Sequence, residues 1–131
     1  MSFKLKIVTP FGVFFEGDID SLNICTKQGY LTILPNHIPL ITPLEIRSMT
    51  YKINKEEHIC ALAGGIMYIN KNDVKIIANA CENKEDIDID RAIASKERAL
   101  KRIESKDSNI NMLRAEISLK KAINRINTYN N

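Results

Sequence analysis

The spacing of apolar residues changes once along this chain, and that change limits what the chain can fold into. As far as Ala78 they recur in short runs with a period near two. From Asp86 to Ile126 they recur at i, i+3, i+4, and the crossover falls between Asn79 and Glu85. A period of two gathers side chains on one face of a strand, whereas a period of 3.6 lines them along one stripe of a helix. The expectation is an all-β N-terminal sandwich or flattened barrel over residues 1–83, followed by an antiparallel two-helix hairpin over residues 84–131.

Within the first part, Phe3, Leu5 and Ile7 alternate with lysines and read as an edge strand ending at Thr9-Pro10. Phe11 to Phe15 is a brief aromatic run closed by Glu16-Gly17-Asp18. Leu22, Ile24 and Thr26, the turn Lys27-Gln28-Gly29 and the return Tyr30 to Leu34 read as a hairpin. Three prolines follow within nine residues, Pro35, Pro39 and Pro43, which makes a central strand improbable and predicts an extended loop. Strands are expected again over Glu45 to Asn54, Glu57 to Leu62, Ile66 to Ile69 and Val74 to Ala78. Gly64-Gly65, between two of them, reads as a bulge or as a tight crossing where a side chain would collide.

In the helical part, the first stripe is Ile89, Ala92, Ile93, Ala99, Leu100 and Ile103. The second is Met112, Ala115, Leu119, Ala122, Ile123 and Ile126, after the polar turn Lys106-Asp107-Ser108-Asn109. Asp88 is the expected cap of the first helix and Asn111, or else Asn109, of the second. A shift of twenty-three positions lays Arg91, Arg98 and Arg102 on Arg114, Lys121 and Arg125. At about 100° per residue, each trio forms a row away from its own apolar stripe. Two readings stand side by side: polar faces that are simply solvated, or two cation rows closed on each other as an anion site.

Total charge decides little. A net +3 spread along 131 residues does not argue for nucleic acid or a lipid surface. No helix-turn-helix turn, basic patch on the β-part or aromatic platform supports a nucleic-acid module. Cys25, Cys60 and Cys81 are far apart with no CxxC, so partly buried thiols in a reducing compartment are expected rather than a zinc site or a disulfide frame. The amino terminus reads as a strand rather than a signal segment, no run reaches the roughly 20 apolar residues of a membrane span, and a cytoplasmic protein is expected. Gly64-Gly65 lacks the lysine of a phosphate loop, and His37 and His58 have no carboxylates at ligand spacing. Cys60 has only His58 beside it in sequence and no third orienting group, so no catalytic machinery is legible.

Three stretches together carry a resemblance: Gly29-Tyr30-Leu31-Thr32-Ile33-Leu34-Pro35-Asn36-His37-Ile38-Pro39-Leu40; Ala63-Gly64-Gly65-Ile66; and Ile87-Asp88-Ile89-Asp90-Arg91-Ala92 with Lys96-Glu97-Arg98-Ala99. Through them the chain resembles, over its full length, the epsilon subunits of bacterial F-type rotary ATP synthases. The resemblance implies a noncatalytic rotor subunit of the central stalk, peripheral to the cytoplasmic face of the bacterial membrane. Its β-domain would dock on the gamma subunit and the ring of c subunits, coupling proton or sodium flow to ATP synthesis. Its helices would fold on the sandwich or extend toward the alpha and beta subunits and inhibit ATP hydrolysis.

Positions matching Tyr30 and His37 belong to the ring-facing surface of that family. Read without the resemblance, Tyr30 shields a hairpin end and His37 hydrogen-bonds within its own loop. Some bacterial relatives bind ATP as a regulatory ligand, with no cofactor required, through a motif that Ile87, Asp88, Arg91 and Ala92 match. The resemblance extends that site to Glu82, Arg98 and Arg125, and to Lys121 where the family has arginine. Lysine keeps the charge and loses the bidentate fork. Nothing in the resemblance implies that this ATP is hydrolysed.

Overall fold

The computed structural model describes residues 1–105 and 111–131. The expected turn Lys106-Asp107-Ser108-Asn109 lies outside the described residues, as does Asn109 as an alternative cap. Eight strands come first: β1 Phe3–Thr9, β2 Gly12–Ile19, β3 Ser21–Thr26, β4 Gly29–Ile33, β5 His37–Ile53, β6 Glu56–Lys71, β7 Asp73–Ala78 and β8 Cys81–Asn83. A 3-10 turn over Lys84–Asp86 leads to α1, Ile89–Ser105, and then α2, Met112–Asn130.

The strands hydrogen-bond in the order β2-β1-β7-β6-β5-β3-β4, with β8 also on β6. Only the β1/β7 pair is parallel. The sheet is folded on itself into a sandwich because β5 and β6, 17 and 16 residues long, run through both layers. One layer holds their Pro43 and Ile66 ends with β7, β1 and β2, and the other their Met49 and Cys60 ends with β3, β4 and β8.

Where the ribbon passes between layers, its inward faces change parity. Leu44 on β5 and Met67 and Ile69 on β6 are buried in the first layer; Met49 and Tyr51, and Cys60 and Leu62, are buried in the second. Register continues unbroken across the change, from Leu44↔Gly65 to Ile46↔Ala63. Gly64-Gly65 is thus a crossing and not a bulge. A Cβ at Gly65 would strike the Ile77 carbonyl oxygen and come within 2.9 Å of the Ala78 Cα, and the φ of +145° is one that side-chain-bearing residues rarely adopt.

Three expectations are corrected. The proline-rich stretch is not a loop, because β5 begins at His37 and contains Pro39 and Pro43. It tolerates them since, before Leu44, this strand pairs only with β6, and a residue without an amide donor fits an edge. β1 is not an edge, having β2 on one side and β7 on the other. Residues 81–83 also form a strand: β8 continues β7 along β6 in the same register, Gly65↔Ala78 and then Leu62↔Cys81.

The core is aliphatic. Leu5, Ile7, Ile19, Leu22, Ile24, Ile33 and Ile76 have no exposed surface, and Met49, Leu62 and Met67 have almost none. The strand hairpin, the helix pair and both Asx caps follow the sequence reading. Asp88 Oδ1 accepts from the Arg91 amide and Asn111 Oδ1 from the Arg114 amide, each at 3.1 Å. α2 lies on β5 and β6, and α1 packs on α2 through Ala92, Ala99, Ala115 and Ala122, all at most 2% exposed. Small side chains let the helix axes approach closely but bury little area each. Among the described residues no helix is long and apolar enough to cross a membrane.

Candidate functional site

Asp88 starts α1 immediately after the 3-10 turn, so Arg91 sits in the first turn of that helix, close to β8. α2 returns toward the same end and brings Lys121 and Arg125 with it. These three cations and Glu82 of β8 line one cavity of about 380 Å³, a volume suited to a small ligand. Its opposite wall is apolar and small, formed by Ala61, Ala63 and Ala80, with Phe11 from the β1–β2 turn at the side.

Arg125 is the organising side chain. Its Nε donates to Glu82 Oε1 at 2.8 Å and its Nη2 to Glu82 Oε2 at 3.3 Å, a two-pronged pair whose side chains are 25% and 33% exposed. That geometry uses the planar fork of arginine. Neither Arg91 nor Lys121 has an ion-pair partner among the described residues. Three cations against one carboxylate leave the cavity electropositive, able to hold an anion of more than one charge.

A larger recess of about 610 Å³ opens on a neighbouring flank of α2, lined by Tyr30, Glu45, Arg47, Lys120 and Asn127 among others. Nothing from α1 lines it. Of these two, the smaller cavity draws charge from both helices and the sheet, and it therefore answers to the hairpin's position.

The other residues named from sequence fall as follows. Ile87 is 6% exposed and Ala92 fully buried, so both are packing positions at the start of α1. Asp88 uses its carboxylate as the helix cap. Arg98 is not among the residues lining the cavity, and its Nη2 donates to Ser95 Oγ at 3.0 Å. Arg102 and Arg114 are exposed and also outside the lining. A helix rises about 1.5 Å per residue, so Arg98 stands roughly 10 Å along the axis from Arg91. Antiparallel helices therefore bring together the near end of one cation row and the far end of the other, and the remaining cations diverge.

Tyr30 and His37 occupy separate neighbourhoods. The Tyr30 hydroxyl donates to the Ser48 carbonyl at 3.2 Å, and the Arg47 guanidinium lies 5.4 Å from the centre of its ring. His37 opens β5 opposite Lys71, with Nδ1 2.7 Å from the Ile38 carbonyl. Beyond them, Ile38 and Ile41 are 78% and 69% exposed.

Asn124, which the pattern of cation rows does not single out, is buried on α2 and donates from Nδ2 to the Leu62 carbonyl at 3.0 Å. Thr128 behind it is buried and donates to the Asn124 carbonyl at 2.7 Å. An asparagine two residues after Ala122 of an apolar stripe is the signal for a helix face that meets a backbone carbonyl rather than only side chains. Lys84 Nζ donates to the Asn131 carbonyl, a further tie between the end of α2 and the sandwich side.

The family described as ATP synthase, Delta/Epsilon chain, beta-sandwich domain matches residues 2–84, and that described as ATP synthase, Delta/Epsilon chain, long alpha-helix domain matches residues 85–130. Among curated relatives, the ATP synthase epsilon chain of Halalkalibacterium halodurans is 42% identical over 123 residues, covering 93% of this chain and 92% of that one. The epsilon chain of Bacillus licheniformis is 38% identical, covering 94% of each. In the solved Euglena gracilis mitochondrial ATP synthase, a chain of the OSCP/F1/c-ring assembly superposes with a TM-score of 0.80 at 18% identity, over 91% of this chain and 76% of that one. A chain of the Tetrahymena thermophila mitochondrial central stalk and c-ring gives 0.60 at 10% identity, over 97% and 92%. At those identities the two structures speak for the fold alone.

Proposed function

The chain belongs to the ATP synthase delta/epsilon family, as a noncatalytic, epsilon-type member of the central stalk, and from that premise we propose that its hairpin is an ATP-sensing control on ATP hydrolysis. In this reading the sandwich joins the gamma subunit and the c-ring on the cytoplasmic side of the membrane, with Tyr30 and His37 toward the ring. With the hairpin folded, hydrolysis proceeds. With the hairpin extended along the stalk toward the alpha and beta subunits, hydrolysis is blocked.

The observation that carries the proposal is the meeting of Arg91 from α1, Lys121 and Arg125 from α2 and Glu82 from β8 on one cavity. Such a site exists only while α2 lies on the sheet and α1 lies on α2. A ligand that needs all three elements binds the folded form and not the extended one, and so shifts the balance toward the folded form. The alanine-lined contact between the helices supports a balance of this kind, because its burial is modest and a differential affinity of a few kcal/mol suffices to reverse it. ATP supplies the anionic charge that Arg91 and Lys121 lack a partner for. The chain's part is to bind and be held; Glu82, the carboxylate among the described lining residues, is engaged by Arg125.

Titration of the whole chain with ATP, followed by backbone amide shifts, tests this. Shifts are expected at Arg91, Lys121, Arg125 and Glu82, and their absence at millimolar ATP removes the nucleotide claim. Recovery of gamma and c subunits with this chain from solubilised membranes is the expected result for the docking claim, and recovery of neither removes it.

A further inference from the structure

The ATP reading gives no role to Phe11, the aromatic residue among those described as lining the cavity. Phe11 is 97% exposed, at the tip of the β1–β2 turn, yet it lines the same recess as the three cations. We propose that Phe11 is a stacking platform for the base of the bound nucleotide, which makes the cavity a nucleotide site rather than a general polyphosphate site. The proposal rests on the ATP reading and adds to it the group that distinguishes a nucleotide from any other polyanion.

The turn fixes the backbone beneath the ring without burying the ring. Proline at position 10 fixes its own φ, the Phe11 amide donates to Thr9 Oγ1 at 3.2 Å, and that hydroxyl donates to the Gly12 carbonyl at 3.2 Å. Gly12 closes the turn at φ +123°. A phenyl ring on a fixed backbone can therefore meet a ligand at small cost in ordering. Nothing in the sandwich core requires an aromatic here: the partly buried Phe14 and Phe15 pack against the core, whereas Phe11 does not.

The lining is of two chemistries. Phe11, Ala63 and Ala80 of the sandwich are apolar, and Arg91, Lys121 and Arg125 of the helices are cationic. Such a lining fits a molecule that carries both a flat aromatic group and several negative charges. Stacking of a base on an aromatic side chain is favourable for any base and does not depend on hydrogen-bond readout. The cations alone favour any polyphosphate; the ring adds preference for one that carries a base.

The chain contains no tryptophan, so Phe11→Trp creates a single reporter at the platform. Three forms are compared, wild type, Phe11→Ser and Phe11→Trp, by calorimetric titration with ATP and with inorganic tripolyphosphate, and by tryptophan emission of the third. Because Phe11 is almost wholly exposed, both variants keep the circular dichroism of the parent. Phe11→Ser is expected to weaken ATP binding about five- to hundredfold while leaving tripolyphosphate binding unchanged. Phe11→Trp is expected to bind ATP at least as well as wild type, its emission quenched by ATP and not by tripolyphosphate. Equal ATP affinity in wild type and Phe11→Ser overturns the platform and leaves the ATP site standing. An equal loss of both ligands in Phe11→Ser also overturns it, since the ring would then only shape the cavity. A wild-type chain that takes up no ATP overturns the platform and the nucleotide reading together.

Discussion

Arg125 on α2 holds both carboxylate oxygens of Glu82 on β8, at 2.8 and 3.3 Å, and so ties the last strand of the sandwich to the last helix. The pair is under a third exposed on each side, so it is worth more than a surface ion pair, on the order of 1–2 kcal/mol. Arg125→Ala should loosen the docked hairpin by about that much. Amide exchange along α2 should then quicken roughly 5- to 30-fold while β1 and β7 keep their protection. Unchanged exchange in α2 would mean that the pair is incidental to docking.

Asn124 makes a second tie of a different kind. Its Nδ2 is the donor to the Leu62 carbonyl, at the level where β6 leaves β7 and takes up β8. Asn124→Leu removes the donor and should cost about 0.5–1.5 kcal/mol of hairpin docking, the net worth of one hydrogen bond. The sandwich should melt as before, by urea denaturation followed at its tyrosines. If α2 exchange is unaltered, the Asn124 hydrogen bond is incidental to docking.

What was legible in the sequence was whatever is decided locally. Asp88 and Asn111 were readable as caps because an Asx side chain satisfies amides only three residues away. Gly64-Gly65 was readable because two adjacent glycines inside an apolar run need a reason, although a bulge and a crossing look alike until the register is known. Pro39 and Pro43 misled for the complementary reason: a proline excludes a central position, and whether a strand has one neighbour or two is a tertiary fact. Leu44 and Ile46 fall out of step with Met49, Tyr51 and Ile53, the trace of the parity change between Leu44 and Met49, whose cause is invisible without the second layer. In the helices the cation rows gave the residue types and not their meeting point, which depends on how the hairpin is laid on the sheet; Asn124 and Phe11 depend on it entirely.

Gly65→Ala should be the most damaging small change in the sandwich. The added methyl meets backbone atoms of β7, which cannot swing away as a flexible side chain would, and the φ of +145° is strained for any residue with a Cβ. Overpacking and backbone strain together imply a loss of about 3 kcal/mol or more in urea unfolding. Gly29→Ala is the control. Its φ is +113° but nothing lies within 4 Å of the new Cβ, so only the conformational cost remains, about 1–2 kcal/mol. Equal losses at the two positions would show that the crossing is not tightly packed.

Tyr51 should set an alkaline limit on the fold. It is 5% exposed, its ring 4.8 Å from that of Phe15 and stacked 5.1 Å from that of His58. Burial first, and then the neighbouring Cys60, Cys81 and Glu85, disfavour the phenolate and raise its pKa from 10.0 to about 12. The half-buried Cys81 thiol, beside Cys60, is also raised. Above pH 10 the unfolded chain releases the phenolic proton while the folded chain keeps it, so stability falls as pH rises and levels off once the folded phenol has ionised near 12. Two units correspond to a loss on the order of 2–3 kcal/mol across that window. Tyr51→Phe has no proton to release there. Its urea midpoint should therefore decline less between pH 10 and 12 than that of the parent, whatever its midpoint at neutral pH, and parallel declines would assign the alkaline loss to other groups.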